Sequence, residues 1–196
     1  MSAAVWNHNI HYHDLVVGSI PRHCRRALDV GCGTGLLARR LSRHCEEVVG
    51  IDLDHGAITR ARAASSSNTV GFIEGDAMTY PFSKGSFDFI AVAAALHHLP
   101  LRPALTRFQD LLRTGGILAI VGLYRARTLQ DYVWSAAALP TSLMLRCVRS
   151  YADVGAPVKE PEETLREIRS ACDSLLPGSV LRRRLLFRYF IEWRKA

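Results

Sequence analysis

The run from Leu28 to Leu37 constrains the fold of this chain more than any other, and it reads Leu-Asp-Val-Gly-Cys-Gly-Thr-Gly-Leu-Leu. Apolar residues before the glycines predict a buried strand, and those after them predict the first turn of a helix. Glycine at alternate positions lets the backbone pass close to a ligand. The free N–H groups of the following helix point at the same spot. The run therefore predicts a strand–turn–helix unit that binds a nucleotide-like molecule.

Apolar strand-like runs alternate with helical patterns along the rest of the chain, which predicts an α/β fold with a largely parallel sheet. The predicted strands are Arg26–Val30, Glu47–Asp52, Val70–Glu74, Phe87–Ala93 and Ile117–Leu123, with an antiparallel pair in Ser179–Lys195. Two predicted helices start near Gly35 and Asp54, with Asp54 as the N-cap of the second. Two more cover Ala104–Leu112 and Glu160–Leu175, the last opened by Pro161, while residues 126–150 look helical.

Length and composition fit one soluble globular domain over residues 1–196. No apolar run is long enough to span a membrane, and the first residues lack the pattern of a signal peptide. The five cysteines form no Cys-x-x-Cys pair, so we expect reduced thiols and a cytoplasmic protein. Scattered arginines account for the net charge of +7, and they indicate solvated faces or, as the alternative, a nucleic-acid footprint.

The glycine turn departs from the dinucleotide-binding pattern at two positions. Gly31 and Gly33 fit the Gly-x-Gly-x-x-Gly/Ala spacing, but the sixth position, which needs a small residue for close helix packing, is Leu36. Asp29 precedes the turn, where a carboxylate would repel a phosphate and could meet an ammonium group. No Gly-Lys-Ser/Thr follows, which excludes a P-loop.

Four motifs in chain order carry a resemblance to a known family. They are Asp29–Gly35, Gly50–Asp54, Gly75–Ala77 with Ser86–Leu99, and Leu111–Leu118. Together they resemble the motifs of the class I S-adenosylmethionine-dependent methyltransferases, and the similarity covers roughly residues 27–123. The resemblance implies a Rossmann-like, doubly wound sheet of seven strands, mostly parallel with an antiparallel C-terminal hairpin strand. It also implies an N-terminal helical lid over residues 1–25, a helical acceptor-pocket segment over 124–176 and closing strands over 179–195.

The cofactor implied by the resemblance, S-adenosylmethionine, is a nucleoside with a sulfonium and an amino acid tail and without phosphate. Asp52 at a strand tip would accept the ribose hydroxyls, since a carboxylate is the natural bidentate acceptor. Leu53 would form an apolar wall for adenine, with Asp76 accepting the adenine amino group and the Ala77 N–H serving a ring nitrogen. Asp29 would orient the turn or meet the ammonium. The remaining candidate cofactor-binding residues are Gly31, Cys32, Gly33, Gly35, Ala93 and Tyr12.

A general base would help methyl transfer to a hydroxyl or an amine, and histidine titrates in the right range. His97, after the fourth strand, is the candidate catalytic residue, with a structural or cofactor-contacting role as its alternative. Tyr12 could close over the methionine end or pack as a surface-helix aromatic. Histidines at positions 8, 11 and 13 lack the partners that complete a metal site, so we expect no metal.

The resemblance therefore implies an enzyme that moves a methyl group from S-adenosylmethionine to a small-molecule acceptor by in-line displacement. Residues Ala93–His98 lack the Asn/Asp-Pro-Pro-Tyr/Phe signature of many nucleic-acid and protein amide methyltransferases, which makes a nucleic-acid partner less expected. Alternatives left open are an RNA or protein methyltransferase that uses the arginine-rich surface, a non-catalytic cofactor-binding protein, and a nicotinamide oxidoreductase. We expect a monomer or homodimer.

Overall fold

The structure, a computed structural model, describes residues 12–127, 160–185 and 187–196. A seven-stranded sheet forms its centre, with the strand order β3-β2-β1-β4-β5-β7-β6. The strands are β1 (Cys24–Val30), β2 (Cys45–Asp52), β3 (Val70–Glu74), β4 (Phe87–Ala93), β5 (Leu112–Leu123), β6 (Val180–Arg184) and β7 (Arg188–Arg194). The helices are α1 (His13–Gly18), α2 (Leu36–Leu41), α3 (His55–Ala63), α4 (Leu101–Leu111) and α5 (Leu165–Leu175).

The sheet is parallel through its first five strands and antiparallel at its end. β1 lies between β2 and β4, and β5 pairs with β4 in the parallel sense. β7 pairs antiparallel with β5 and with β6, so the C-terminal hairpin closes the sheet. The expected Rossmann-like α/β fold with seven strands, mostly parallel, is confirmed.

Burial on both faces explains why the central strands are almost wholly apolar. All residues of β4 before its last are buried, and so are Leu28 and Val30 of β1. One face packs against α4 and α5, where Phe108 and Cys172 are buried. The other face packs against the helices α1, α2 and α3, with Val16 fully buried.

Several element boundaries differ from the sequence-based prediction, and β1 and β2 each begin two residues earlier than predicted. Strand β5 begins at Leu112 rather than Ile117, because the segment around Gly116 pairs with Lys195 instead of forming a free turn. Helix α4 begins at Leu101, earlier than Ala104.

Helix α5 begins later than predicted. Pro161 does not open it, since Thr164 is the N-cap and forms a capping box with Glu167. The Thr164 side chain accepts from the Glu167 N–H, and the Glu167 carboxylate accepts from the Thr164 N–H.

Residues 126 and 127, where a predicted helix begins, are described and are not helical. The rest of that prediction, residues 128–150, and the candidate lid residues before Tyr12 lie outside the described residues. Across the parts of the chain that are described, no helix is long and apolar enough to cross a membrane.

Candidate active site

A cavity of about 340 Å³ lies at the carboxyl ends of the parallel strands. It extends from the loop after β3 to the loop after β4. The strand order reverses at β1, since β2 and β3 lie on one side of β1 while β4 and β5 lie on the other. Ligands of open α/β sheets bind at such a switch point. Its lining comes from the loops after β1, β2, β3 and β4 and from α1 and α2.

The glycine turn after β1 holds the backbone in a shape that a side chain would disturb. Gly31 has a φ of +68°, and a Cβ added there would lie 2.4 Å from the Cβ of Ala95. Gly33 has a φ of +51°, and a Cβ there would meet no atom within 4 Å because it would project into open space. The N–H groups of Gly31 and Cys32 both donate to the carbonyl of Ile51, which fixes the turn against β2. The turn thus presents bare backbone to the cavity.

Gly35, a predicted cofactor contact, lies outside the cavity lining. It is the N-cap of α2, with a φ of +73°, and a Cβ there would lie 2.5 Å from the Phe72 ring. A glycine is therefore needed at this position so that α2 can pack against Phe72 of β3. Cys32 does line the cavity, and burial raises the pKa of its thiol, so the thiol stays protonated.

Asp29 is the most deeply buried acid of the site. Its side chain lines the cavity and is 1% exposed, and its Oδ2 has no hydrogen-bond partner. Burial raises the pKa of Asp29 to about 8, the N–H of Ala38 opposes this shift, and the negative charge of Asp52 adds to it. Burying a carboxyl group with one oxygen unpaired costs free energy of folding unless a hydrogen-bond donor binds to that oxygen. The cavity therefore contains a carboxyl group that a cationic ligand would satisfy.

Asp52 lies at the tip of β2 and connects two loops. Its Oδ2 accepts from the Gly33 N–H at 2.8 Å, and its Oδ1 accepts from the Asp54 N–H at 2.9 Å. Each carboxylate oxygen retains a second lone pair. Asp54 acts as the predicted N-cap of α3, because its Oδ1 accepts from the Ala57 N–H.

The β3 end of the cavity combines an apolar wall with a polar loop. Leu53 is 68% exposed although it lines the cavity. Asp76 and Ala77 lie opposite in the loop after β3, and the Asp76 Oδ1 accepts from the Met78 N–H at 2.8 Å. Leu53, Asp76 and Ala77 thus line the same end of the cavity.

The loop after β4 forms the opposite end. Ala93, Ala94 and Ala95 line the cavity, and Ala94 has a φ of +55°, which is strained for a residue with a Cβ. The Ala94 N–H donates to the carbonyl of Val121, which holds this conformation. His98 lines the cavity, whereas His97, the predicted catalytic residue, is buried outside the lining. The two residues share a 3-10 turn in which successive side chains point in different directions.

The N-terminal helix contributes a different residue from the predicted one. Tyr12 is buried away from the cavity, and its hydroxyl donates to the carbonyl of Leu185 at 3.1 Å. His13, the next residue, lines the cavity. Adjacent residues of a helix point about 100° apart, so only one of the two can face the site. The histidine was visible in the sequence, but no local signal showed which residue faces inward.

A family model described as a methyltransferase domain matches residues 28–120. An uncharacterised methyltransferase from Mycobacterium bovis is 36% identical over 191 residues, covering 96% of each chain. The 27-O-demethylrifamycin SV methyltransferase of Amycolatopsis mediterranei is 34% identical over 114 residues, which cover 55% of this chain and 42% of that one.

A solved structure gives a matching fold. The geranyl diphosphate C-methyltransferase of Streptomyces coelicolor, determined with Mg²⁺, geranyl diphosphate and S-adenosyl-L-homocysteine, superposes with a TM-score of 0.68. The superposition covers 95% of this chain and 77% of that one, at 12% identity. At this identity the likeness concerns the fold.

Proposed function

This chain belongs to the class I S-adenosylmethionine-dependent methyltransferases, and we propose that it methylates a small-molecule acceptor from S-adenosylmethionine bound in the cavity described above. The donor set of the cavity is the observation that supports this proposal. Among the described residues that line it are four aspartates and neither a lysine nor an arginine, the aspartates being Asp29, Asp52, Asp54 and Asp76. A phosphate-bearing cofactor would find repulsion there, whereas a nucleoside with a cationic tail would find acceptors.

The residues present fit S-adenosylmethionine from one end of the cavity to the other. Asp52 would accept the ribose hydroxyls on the lone pairs that the Gly33 and Asp54 N–H groups leave open. Leu53 would cover one face of adenine, which would explain an exposed leucine at a cavity wall. Asp76 and the backbone of Ala77 would meet the polar edge of the ring.

Asp29 and the glycine turn would receive the amino acid tail. The unsatisfied Oδ2 of Asp29 would accept from the ammonium group, and this contact would favour the ionised carboxylate. The open space beside Gly33 leaves room for the tail to lie against the backbone. Substitution at Gly33 would fill part of that room.

When bound, the cofactor supplies a methyl group on a sulfonium, which is already a good leaving group. The protein then needs chiefly to align the acceptor atom, and positioning alone can account for much of a rate enhancement. The loop after β4 is placed for this task, with Ala94 held by the Val121 carbonyl and His98 at the cavity wall. His98 would replace His97 as the candidate base where the acceptor carries a proton to be removed.

A small-molecule acceptor is favoured over RNA or protein by the cavity itself. Nucleic-acid sites depend on lysine and arginine side chains, and the described lining of the cavity has neither. The relative from Amycolatopsis mediterranei is named for methylation of a rifamycin, which is a small molecule.

Ligand binding tests the cofactor part of the proposal. We expect S-adenosylmethionine and S-adenosylhomocysteine to stabilise the protein against heat and NADH to have no effect. At a ligand concentration about 100-fold above Kd the stabilisation approaches roughly 2.7 kcal/mol. Stabilisation by NADH alone would contradict the proposal.

A screen with methyl-labelled cofactor tests the acceptor. Fractionated metabolites and total tRNA are incubated separately with the protein and labelled S-adenosylmethionine. We expect label in a metabolite fraction and none in tRNA. Label in tRNA, with binding that weakens steeply as salt rises, would identify an RNA methyltransferase instead.

A further inference from the structure

Two cysteines outside the cavity lie side by side at the amino end of the sheet. Cys24 begins β1 and Cys45 begins β2, and the two residues are register partners of this parallel pair. Register partners in adjacent strands place their side chains on the same face of a sheet. Both side chains are 5% exposed and belong to the core on the face of α1, α2 and α3. The fold therefore brings together two buried thiols from different strands.

The two cysteines are close enough for a covalent bond. Both are free thiols, and their side chains are hydrogen bonded to each other. Adjacent strands lie about 4.8 Å apart, which is within the Cα–Cα range of about 4.4–6.8 Å that a disulfide spans. A disulfide between Cys24 and Cys45 therefore needs little movement of the backbone.

The other described cysteines occupy different places. Cys32 follows β1 at its carboxyl end and lines the cavity, and Cys172 lies in α5 on the other face of the sheet. Cys24 is separated from the cavity by the length of β1, about 20 Å at the ordinary rise per residue. The proposed methyl transfer therefore leaves the contact between Cys24 and Cys45 unexplained.

The surroundings of the pair keep the Cys24 thiol protonated. The hydrogen bond to Cys45 and burial raise its pKa well above its usual range, and Asp88 adds to this shift while Arg113 opposes it. A protonated thiol is a poor nucleophile, so the pair resists alkylating agents and weak oxidants. A reaction at these thiols therefore requires a small and strong oxidant.

We propose that Cys24 and Cys45 form a redox-sensitive pair that hydrogen peroxide converts into an intramolecular disulfide. One thiol loses its proton and its sulfur attacks a peroxide oxygen, so that the O–O bond breaks and a sulfenic acid and water form. The sulfur of the other thiol then attacks the sulfenic sulfur. Its proton leaves with the hydroxyl group as a second water, and the S–S bond forms. The thiols lose two electrons in all, which reduce the peroxide to water, and a dithiol reductant reverses the bond.

The disulfide encloses the part of the chain that presents the glycine turn. Residues 25–44, which lie between the two cysteines, contain this turn and α2. A covalent ring restricts the unfolded chain and thereby stabilises the folded one. Oxidation therefore makes the strand–turn–helix unit harder to unfold without changing a residue of the cavity.

Peptide mapping of the full-length protein tests the proposal. The folded protein is treated with hydrogen peroxide, alkylated in urea and digested with trypsin without reduction. Cleavage after arginine releases the peptides 23–25 and 44–60, and we expect them to be joined with the loss of two hydrogen atoms. Dithiothreitol should separate them. The oxidised protein should have a Tm about 5 °C or more above that of the reduced protein.

Matched variants show which thiols react. Cys24→Ala and Cys45→Ala should each abolish the joined peptide, whereas Cys172→Ala, which removes a buried thiol from the other face of the sheet, should keep it. Each variant is first checked by circular dichroism for a native fold. Wild-type protein oxidised in urea should pair its five cysteines without this preference.

The map of the wild-type protein is decisive even where a variant fails to fold. Absence of the joined peptide after peroxide treatment of the folded protein would overturn the proposal, and so would joining that occurs only in urea. A joined peptide with no rise in Tm would overturn the stabilising role. No ligand is used, so none of these outcomes bears on the proposed function.

Discussion

The Asp52 carboxylate accepts a hydrogen bond from the Gly33 N–H at 2.8 Å, so the tip of β2 is fastened directly to the glycine turn after β1. The same side chain holds the start of the next loop through the Asp54 N–H. One acid therefore fixes the shape of the turn and offers its remaining lone pairs to a ligand. Because of this double role, we expect cofactor binding to be especially sensitive to substitution of Asp52.

We predict that Asp52→Ala lowers the affinity for S-adenosylhomocysteine by about 100-fold or more, because both the ribose acceptor and the support of Gly33 are lost. Asp52→Asn keeps one acceptor oxygen and should lose less. Asp110→Ala is the matched control, since this acid pairs with Lys84 on the surface. Titration calorimetry measures all three, and wild-type affinity in Asp52→Ala would remove the ribose assignment.

We predict that the affinity for S-adenosylhomocysteine rises with pH between about 5.5 and 7.5, by up to about tenfold per pH unit. The pKa of Asp29 is about 8 in the free protein, so the carboxyl group is protonated in this range. An ammonium ligand favours the ionised form, and binding therefore releases a proton. Asp29→Asn should bind weakly with a flat pH profile. The same slope in wild type and Asp29→Asn would show that another group titrates.

The raised pKa of Asp29 also predicts how the free protein responds to pH. The folded chain holds a proton that the unfolded chain has already lost above about pH 4. The contribution of Asp29 to stability therefore falls as pH rises from about 4 to about 8. Asp29→Asn should unfold at a higher temperature than wild type at pH 8, with a smaller difference at pH 5. Thermal denaturation measures this, and a lower Tm at pH 8 would contradict the burial argument.

Substitution of Asp88 should lower stability without changing ligand affinity. It lies at the amino end of β4, away from the cavity, and accepts from the N–H groups of Arg25 and Arg26 while pairing with Arg113 at 2.9 Å. Asp88→Ala leaves these donors without their acceptor and should cost about 2–4 kcal/mol of unfolding free energy. Urea denaturation measures the loss.

The controls for Asp88 are simple. Lys84→Ala removes an exposed ion pair and should cost at most about 1 kcal/mol. The folded Asp88→Ala protein should bind S-adenosylhomocysteine like wild type. A large loss of affinity would mean that the amino edge of the sheet shapes the cavity after all.

A side chain at Gly122 would clash with the core. A Cβ at this position in β5 would lie 2.2 Å from the Tyr189 ring, whereas a Cβ at Gly71 in β3 would meet no atom within 4 Å. Gly122→Ala should therefore destabilise the protein by about 1–3 kcal/mol. Gly71→Ala should be neutral or stabilising by about 0.5–1 kcal/mol, because alanine suits a strand better. Equal effects of the two substitutions on the urea midpoint would show that Tyr189 moves aside freely.

Local patterns were enough to predict the strands β3 and β4 and the N-cap at Asp54, because burial on both faces and capping leave marks in adjacent residues. The start of α5 was predicted wrongly, although its capping box of Thr164 and Glu167 is also a local signal. The prediction relied on Pro161 as a helix-start residue. The capping box at Thr164, three residues later, is the stronger signal because it satisfies backbone N–H groups of the first turn.

The details of the site depended on contacts between distant residues. Gly35 is required by the Phe72 ring rather than by a ligand, and no reading of the turn alone could show this. His13 rather than the predicted Tyr12, and His98 rather than the predicted His97, line the cavity, and both differences have the same cause. Neighbouring residues in a helical turn face different directions, and packing against the sheet selects which of them points inward.

The sequence by itself determined the alternation of strands and helices, the glycine turn after β1 and the acids at the strand tips, since each depends on neighbouring residues and on the chain's own periodicity. Only the tertiary structure decided which side chains share the cavity. It packed α1 against α2 and β5, and it brought His13 and Asp29, from elements far apart in the chain, to the lining of one cavity. The depth of their burial, and thus the raised pKa of Asp29 and the lowered pKa of His13, arises from elements far apart in the chain.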